Sequence, residues 1–311
     1  MNTSGSLKDN LQKINPEISV IIPFHGELKE LSHCLSGLHT QNVNFPFEVL
    51  IIESGNEPAV EKLINLPSNV KLIFTSSLLY PGKARNVGAA NANSDFLAFI
   101  DADCVPSPNW LSEVYSSLKN VDKIVIGPIF NLYPFHPVAS VDNLLQFIDF
   151  QKHHQNKNIN HFPGCNFGIT KNLFNQTEGF PEQFINGEDV MFSQVAIKEN
   201  NGKIFYNPKM IVKHSGRKNL SQFLIHNKNF GFYRGYLNLN ISGKQNKFRT
   251  GYLYSFLFGI KRLVYISLKT IQWNPVGILR IIFYSPVLIL GLSAWVNGFC
   301  KGNRKLFMER N

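Results

Sequence analysis

The sequence predicts an α/β fold with a doubly wound, mostly parallel sheet flanked by helices. Through the first hundred residues, short apolar runs rich in Val, Ile and Phe alternate with stretches of helical period. The runs are continuously apolar rather than alternating, as expected of strands covered on both faces. Each run also ends in polar residues, and sheets of this class bind ligands beyond the carboxyl ends of their strands.

Residues 1–16 are polar and read as a flexible N-terminus. ISVIIP at 18–23 is the first strand, and leucines at 28, 31, 35 and 38 mark an amphipathic helix over 27–39. FEVLII at 47–52 is the second strand, with Glu53 at its end, and 57–66 has a helical pattern. Residues 70–74 form a third strand, Pro81-Gly82 breaks the chain, 83–92 suits a helix and FLAFI at 96–100 is the next strand. Beyond it the pattern predicts a helix over 110–118, a strand over 123–127 and a long helix over 138–154. A glycine-flanked loop at 163–168, a helix opening on the acids of 187–192, and strands at 203–206 and 210–212 follow, with His214 after the last.

The net charge of +10 hides a division. Residues 1–200 carry 13 basic and 20 acidic side chains, whereas 201–311 carry 18 basic and one acid, Glu309. The chain is expected to divide into one domain over 17–240 and a basic, apolar, helical C-terminal region over 241–311. Basic and aromatic residues interleave there, but no nucleic-acid motif appears and the chain grows more apolar, which favours a membrane surface over nucleic acid. Residues 281–299 are uncharged, about 28 Å of helix and barely a membrane crossing. Basic residues flank both sides, so helices in the interface or a shallow re-entrant hairpin are expected rather than a span. Four scattered cysteines give no disulfide framework and no zinc motif. The N-terminus has no apolar signal core, so the expected location is the cytoplasmic face of a membrane.

Chemistry concentrates at the strand ends. In an extended chain Asp101 and Asp103 point to one side, and two such carboxylates suit a divalent cation. An acidic turn in solvent is the competing reading. It weakens because Pro23 to Glu27 and Glu53 stand at two other strand ends. His153, His154 and His161 do not make a shared metal site, since adjacent helical residues point about a hundred degrees apart.

SVIIPFHGELKELSHCLSGL, FEVLIIESGN, PGKARNVGAANANSDFLAFIDADCVPSPNWL and GCNFGITKNLFNQTEGFPEQFINGEDVMFS, in this order, resemble the family 2 inverting glycosyltransferases, of bacterial surface-polysaccharide type. The resemblance covers roughly residues 18–235. It implies the GT-A fold, a nucleotide-sugar donor, expected to be a UDP-sugar, and Mg or Mn as the divalent cation. It also implies that Pro23, Phe24 and Glu27 line the nucleoside pocket and that Glu53 reaches the base or ribose. Arg85 and Asn86 would lie near the nucleotide, Asp101 at the ribose or sugar, and Asn166 near the donor sugar. Asp103 would be the direct metal ligand, with Asp101 and His214 assisting. Asp189 would be the catalytic base and Glu188 its companion. The first loop, Pro-Phe-His-Gly-Glu, departs from the family's usual residues, and Glu53 stands where Asp is more common.

The function implied is metal-dependent, inverting transfer of a sugar to a hydroxyl of a glycan or lipid-linked glycan. Two alternatives stand beside it. A sugar nucleotidyltransferase would need a glycine-rich phosphate loop after the first strand, which Pro23-Phe24-His25-Gly26 is not. A non-catalytic membrane-bound binding or scaffold protein could retain the fold, although Asp101, Asp103 and Asp189 together argue against it.

Overall fold

The computed structural model describes residues 15–62, 66–151, 159–242, 250–273 and 277–310. The chain first winds through β1 (Ile18–Phe24), α1 (Leu28–His39), β2 (Phe47–Ser54), β3 (Val70–Thr75), α2 (Pro81–Asn91) and β4 (Phe96–Ile100). The four strands are parallel in the order β3-β2-β1-β4, so the chain grows outward from β1 and then returns to its other side. That reversal puts the switch point, where ligand crevices form, between the ends of β1 and β4. Ile18, Val20, Ile21 and Ile22 are all fully buried, as the continuous apolar run requires. Leu31, Cys34 and Leu38 turn one face of α1 into the core, and Pro81 occupies the first turn of α2, where its missing N–H costs nothing.

The second half comprises β5 (Cys104–Pro106), α3 (Trp110–Asn120), β6 (Ile124–Ile126), β7 (Ile129–Asn131), α4 (Pro137–Phe147), β8 (Asn166–Thr170), α5 (Lys171–Gln176), α6 (Glu188–Glu199), β9 (Phe205–Tyr206) and β10 (Val212–His214). The main sheet extends as β4-β8-β6-β9, and β8 runs antiparallel to both neighbours. This corrects the expected loop at 163–168. Gly168 lies inside a strand because α3 packs against it: a Cβ there would stand 2.7 Å from Val114 Cγ1. Phe167 stacks on Phe99 across β8 and β4, with ring centroids 4.5 Å apart. Burying a side chain of this size contributes roughly 2 kcal/mol.

The helix expected over 138–154 ends at Phe147 and passes into a 3-10 turn, Ile148–Phe150. His153 and His154 lie outside the described residues. Of the helix expected over 57–66, the described part is a 3-10 turn, Val60–Lys62, and residues 63–65 lie outside the described residues. A second sheet, β5-β10-β7, pairs His214 with Cys104 on one side and Asn131 on the other.

The C-terminal third is α7 (Leu220–Ser242), α8 (Tyr252–Trp273), α9 (Gly277–Phe283) and α10 (Ser285–Arg310). Helices α7 and α10 lie in backbone contact across two glycine pairs. A Cβ on Gly231 would fall 2.0 Å from the Trp295 carbonyl oxygen, and one on Gly298 would fall 1.8 Å from that of Lys228. Gly235 and Gly302 continue the crossing one turn on, an approach only small residues allow. Residues on either side of position 240 therefore share one helical layer. Among the described residues no single helix is long and apolar enough to cross a membrane. Helices α9 and α10 together have the length and composition, but they meet at 77°. The break divides the uncharged run just ahead of Pro286, which sits in the first turn of α10.

Candidate active site

A cleft of about 340 Å³ opens at the β1/β4 switch point. Pro23, Phe24 and Glu27 form one wall, from the end of β1 to the residue that starts α1. Asp101 and Asp103, just beyond β4, form its floor. The chain does not stay extended between these two acids, because the Cys104 N–H donates to the Asp101 carbonyl and closes a turn. Each carboxylate consequently meets its own cation.

Asp101 Oδ1 accepts from Arg85 Nη2 at 2.7 Å, while Arg85 Nη1 donates to Glu188 Oε1 at 2.8 Å. Arg85, on α2 and almost fully buried, thus ties the end of β4 to the start of α6. It passes where Gly164 leaves room, since a Cβ there would stand 2.6 Å from the guanidinium. Burial works against the Arg85 charge, but Asp101 and Glu188 outweigh it and hold the guanidinium firmly protonated. Burial and the repulsion of Asp189 push the Glu188 carboxyl up to about 7 against the pull of Arg85. Asp101 is raised as well, first by burial, then by Asp103, with Arg85 opposing.

On the opposite side, His214 Nε2 stands 3.2 Å from Asp103 Oδ2. His214 Nδ1 accepts from the Gly216 N–H at 3.1 Å, which assigns the ring proton to Nε2 and makes His214 the donor to Asp103. Burial disfavours the Asp103 charge, yet the neighbouring His214 and then Arg217 hold this carboxyl well below the usual range. His214 is raised correspondingly, against its burial. Asp189 lies in the first turn of α6, which Gly187 initiates with φ of 86°, a conformation costly for any side chain. Its Oδ1 accepts from the Val190 N–H at 2.8 Å and its Oδ2 from the Gly164 N–H at 3.3 Å. Both oxygens retain free lone pairs, and the residue lines the cleft.

The sequence profile described as Glycosyl transferase family 2 matches residues 19–177, half of the chain. The chain belongs to glycosyl transferase family 2. Among curated proteins, glycosyltransferase AglE of Haloferax volcanii is 25% identical over 187 residues, 58% of this chain and 61% of AglE. Pre-mycofactocin glycosyltransferase of Mycobacterium tuberculosis is 22% identical over 223 residues, 69% of this chain and 46% of that protein. The chain thus spans less than two thirds of either relative. Among solved structures, mannosyltransferase PcManGT of Pyrobaculum calidifontis, in complex with GDP-Man and Mn2+, aligns with a TM-score of 0.55 at 13% identity. The alignment covers 96% of this chain and 89% of that one. S. aureus TarS 1-349, in complex with UDP-GlcNAc, aligns with a TM-score of 0.52 at 16% identity, covering 93% and 91%. The fold is therefore GT-A, as the sequence implies.

Three residues that family 2 resemblance places at the donor stand elsewhere. The buried Glu53 carboxylate accepts from the Ala59 and Val60 N–H groups and caps the 3-10 turn after β2, leaving Ser54 to face the cleft. Asn86 grips the chain after α5: its Nδ2 donates to the Phe180 carbonyl at 2.9 Å and its Oδ1 accepts from the Phe180 N–H at 2.8 Å. Asn166 is fully buried, accepts from Trp110 Nε1 at 2.9 Å, and donates to the carbonyls of Pro128 and Met210. Its hydrogen-bonding capacity is spent on joining β8 to α3 and the loops beside it. The cleft instead gains His25, Arg217 and Phe230. Arg217 comes three residues after His214 at the end of β10, a spacing that signals a strand-end cation but merges with the basic tail when read as sequence.

Asp103, Cys104 and His214 bring possible ligand atoms within 4.8 Å of one another. Burial and the neighbouring Cys165 raise the Cys104 thiol far above its ordinary range, so it is neutral and unsuited to a hard cation. Asp103 and His214 remain as a carboxylate and an imidazole that fit one side of an octahedral divalent ion. Asp101, expected as a ligand, is held by Arg85 and stands outside this cluster.

Proposed function

We propose that this family 2 protein is an inverting glycosyltransferase assisted by Mg or Mn. It would move a sugar from a nucleotide-sugar donor to a hydroxyl of a glycan or lipid-linked glycan. The observation that carries the reading is the meeting in one cleft of Asp103 with His214 on one side and Asp189 on the other. Pro23, Phe24 and Ser54, at the ends of β1 and β2, line the nucleoside end. Asp103 and His214 would hold a divalent cation, which supplies charge neutralisation at the leaving diphosphate. Binding at Nε2 requires His214 to release the proton it now shares with Asp103. Arg217 adds a fixed positive charge to the same side.

In the transfer, the acceptor oxygen bonds to the anomeric carbon from the face opposite the diphosphate. The bond from that carbon to the diphosphate oxygen breaks, and the nucleoside diphosphate leaves with the electron pair. Asp189 takes the hydroxyl proton, and general-base help of this kind contributes about 10²- to 10⁴-fold. Arg85 and Glu188 position the start of α6 against Asp101 and so keep the base in register with the donor. A single displacement inverts the anomeric centre.

The basic third and the exposed apolar side chains of α8 and α9, among them Phe256, Leu257, Ile282 and Phe283, support attachment to the cytoplasmic face of a membrane. The two neighbours hold donors with different bases, GDP-Man and UDP-GlcNAc, so a donor panel must include both; surface-polysaccharide assembly is the proposed setting. The test is a panel of nucleotide sugars screened with Mn by thermal shift, followed by assay of nucleoside diphosphate release. One donor should raise the melting temperature only with metal. Asp189→Asn should keep that shift and lose about 10²- to 10⁴-fold in transfer. Absence of any donor response returns the protein to the scaffold reading.

A further inference from the structure

A second cleft, of about 490 Å³, lies between the 3-10 turn after α4, helix α7 and helix α8. Arg234, Lys261, Arg262 and Lys269 all line it, against one acid, Asp149, whose carboxylate already accepts from Tyr265. Among the described residues none of these four cations forms an ion pair. Arg262 is drawn furthest in. It donates to the Leu145 carbonyl and lies over the Trp295 ring at 4.6 Å, and its sealed Nε has no partner among the described residues. Burial and the charge of Arg234 depress Arg262 to about 10. Four cations gathered around a single carboxylate leave an excess of positive charge that a further anion would offset.

We propose that this cleft holds the phosphate or diphosphate of a lipid that carries the acceptor sugar, with the lipid chain lying along the exposed apolar side of α8. The inference deepens the reading above and rests on it for the role of Asp189. Guanidinium groups present paired donors that match phosphate oxygens, and lysines add point charge. The apolar path is on the same helix. Leu253, Leu257, Ile260, Val264, Leu268 and Ile271 recur every three or four residues, each 44% exposed or more. This stripe runs beside the one formed by Phe258, Lys261, Tyr265 and Lys269. A nucleic acid would use the charges and leave that stripe unexplained.

The second cleft also adjoins the first. Phe230 lines the catalytic cleft, Arg234 lies one turn further along α7 in the basic cleft, and Arg262 packs over Phe230 at 5.5 Å. Arg234 and His161 both feel the Asp189 carboxylate as well as Asp149. A sugar attached to a phosphate held among these cations would thus reach toward Asp189.

Calorimetry on the full chain in EDTA, with farnesyl diphosphate as probe and farnesol and inorganic pyrophosphate as controls, tests this. Farnesyl diphosphate should bind at least tenfold more tightly than either control. Lys261→Ala with Lys269→Ala should weaken it tenfold or more and leave Mn-dependent donor binding unchanged. Equal binding of pyrophosphate, or a double variant that binds as wild type does, overturns the proposal. Displacement of the probe by phosphatidylglycerol vesicles, but not by phosphatidylcholine vesicles, would assign the cleft to bulk membrane headgroups and overturn the acceptor role; no displacement by either supports it. If the probe binds as expected while no nucleotide sugar binds, it is the glycosyltransferase reading that fails.

Discussion

Replacing Glu188 with Gln should make the protein more stable at high pH and leave it nearly unchanged at low pH. Glu188 is 6% exposed, receives one hydrogen bond from Arg85 and sits beside Asp189. Burial first, and then Asp189, raise its carboxyl from 4.5 to about 7. A rise of that size separates the two protonation states by about 3 kcal/mol. Because the folded value lies above the unfolded one, the contribution to stability is fully present below 4.5 and is lost as pH climbs through about 7. Gln mimics the neutral carboxyl and cannot ionise. The two proteins should therefore agree within about 1 kcal/mol near pH 5, and the variant should be more stable by up to about 3 kcal/mol near pH 8.5. Urea unfolding followed by tryptophan fluorescence at a series of pH values measures the difference. A difference that stays flat with pH, or a variant less stable at the alkaline end, would mean that Arg85 keeps Glu188 ionised and that the reasoning from burial is wrong.

Asp103→Ala should raise the Mn concentration needed for half-maximal donor binding by about tenfold or more, because in the proposed reading its carboxylate would be the oxygen ligand beside His214. Unchanged metal saturation in a donor-binding titration would remove Asp103 from that role. Asn166→Ala leaves Trp110 Nε1 and two carbonyls without their buried partner and should destabilise the fold by about 3 kcal/mol. The donor KM of the protein that remains folded should move less than about twofold, and a large KM change with normal stability would restore Asn166 to the donor site. Gly298→Val places a side chain against the Lys228 carbonyl, where a Cβ already comes within 1.8 Å. Thermal unfolding should show a loss of about 3 kcal/mol; wild-type stability would mean that α7 and α10 do not depend on backbone contact.

Much of the fold was legible because its signals are local. The apolar runs at 18–23, 47–52, 70–74 and 96–100 all became strands of the parallel sheet, and each boundary moved by at most two residues. The runs reflect burial on two faces, a property each strand carries in its own residues. Strand β8 was not legible for the opposite reason. Its Gly168, with Pro163 and Gly164 just ahead of it, looks like loop chemistry, and the approach of α3 explains a glycine in that strand. The crossing of α7 and α10 was missed in the same way: Gly231 and Gly235 on one helix meet Gly298 and Gly302 on another more than sixty residues later.

The site divides along a similar line. Asp101 and Asp103 lie in the turn just beyond β4 and Asp189 in the first turn of α6, so backbone position largely determines where each carboxylate points. Glu53 also stands at a strand end, but its extra methylene lets the carboxylate turn back to the N–H groups of Ala59 and Val60. Asn86 and Asn166 are amides, able to donate and accept at once, and both are consumed by backbone groups that come from distant parts of the chain. An ionised carboxylate beside a cation keeps lone pairs to spare for a ligand, whereas a buried amide that satisfies three backbone or ring partners has nothing left to offer. In the C-terminal third several buried polar atoms are unmet by any described residue, and among them Arg262 Nε belongs to a residue that lines the basic cleft. The side chains most informative about ligands are thus those whose hydrogen-bonding capacity the fold leaves open.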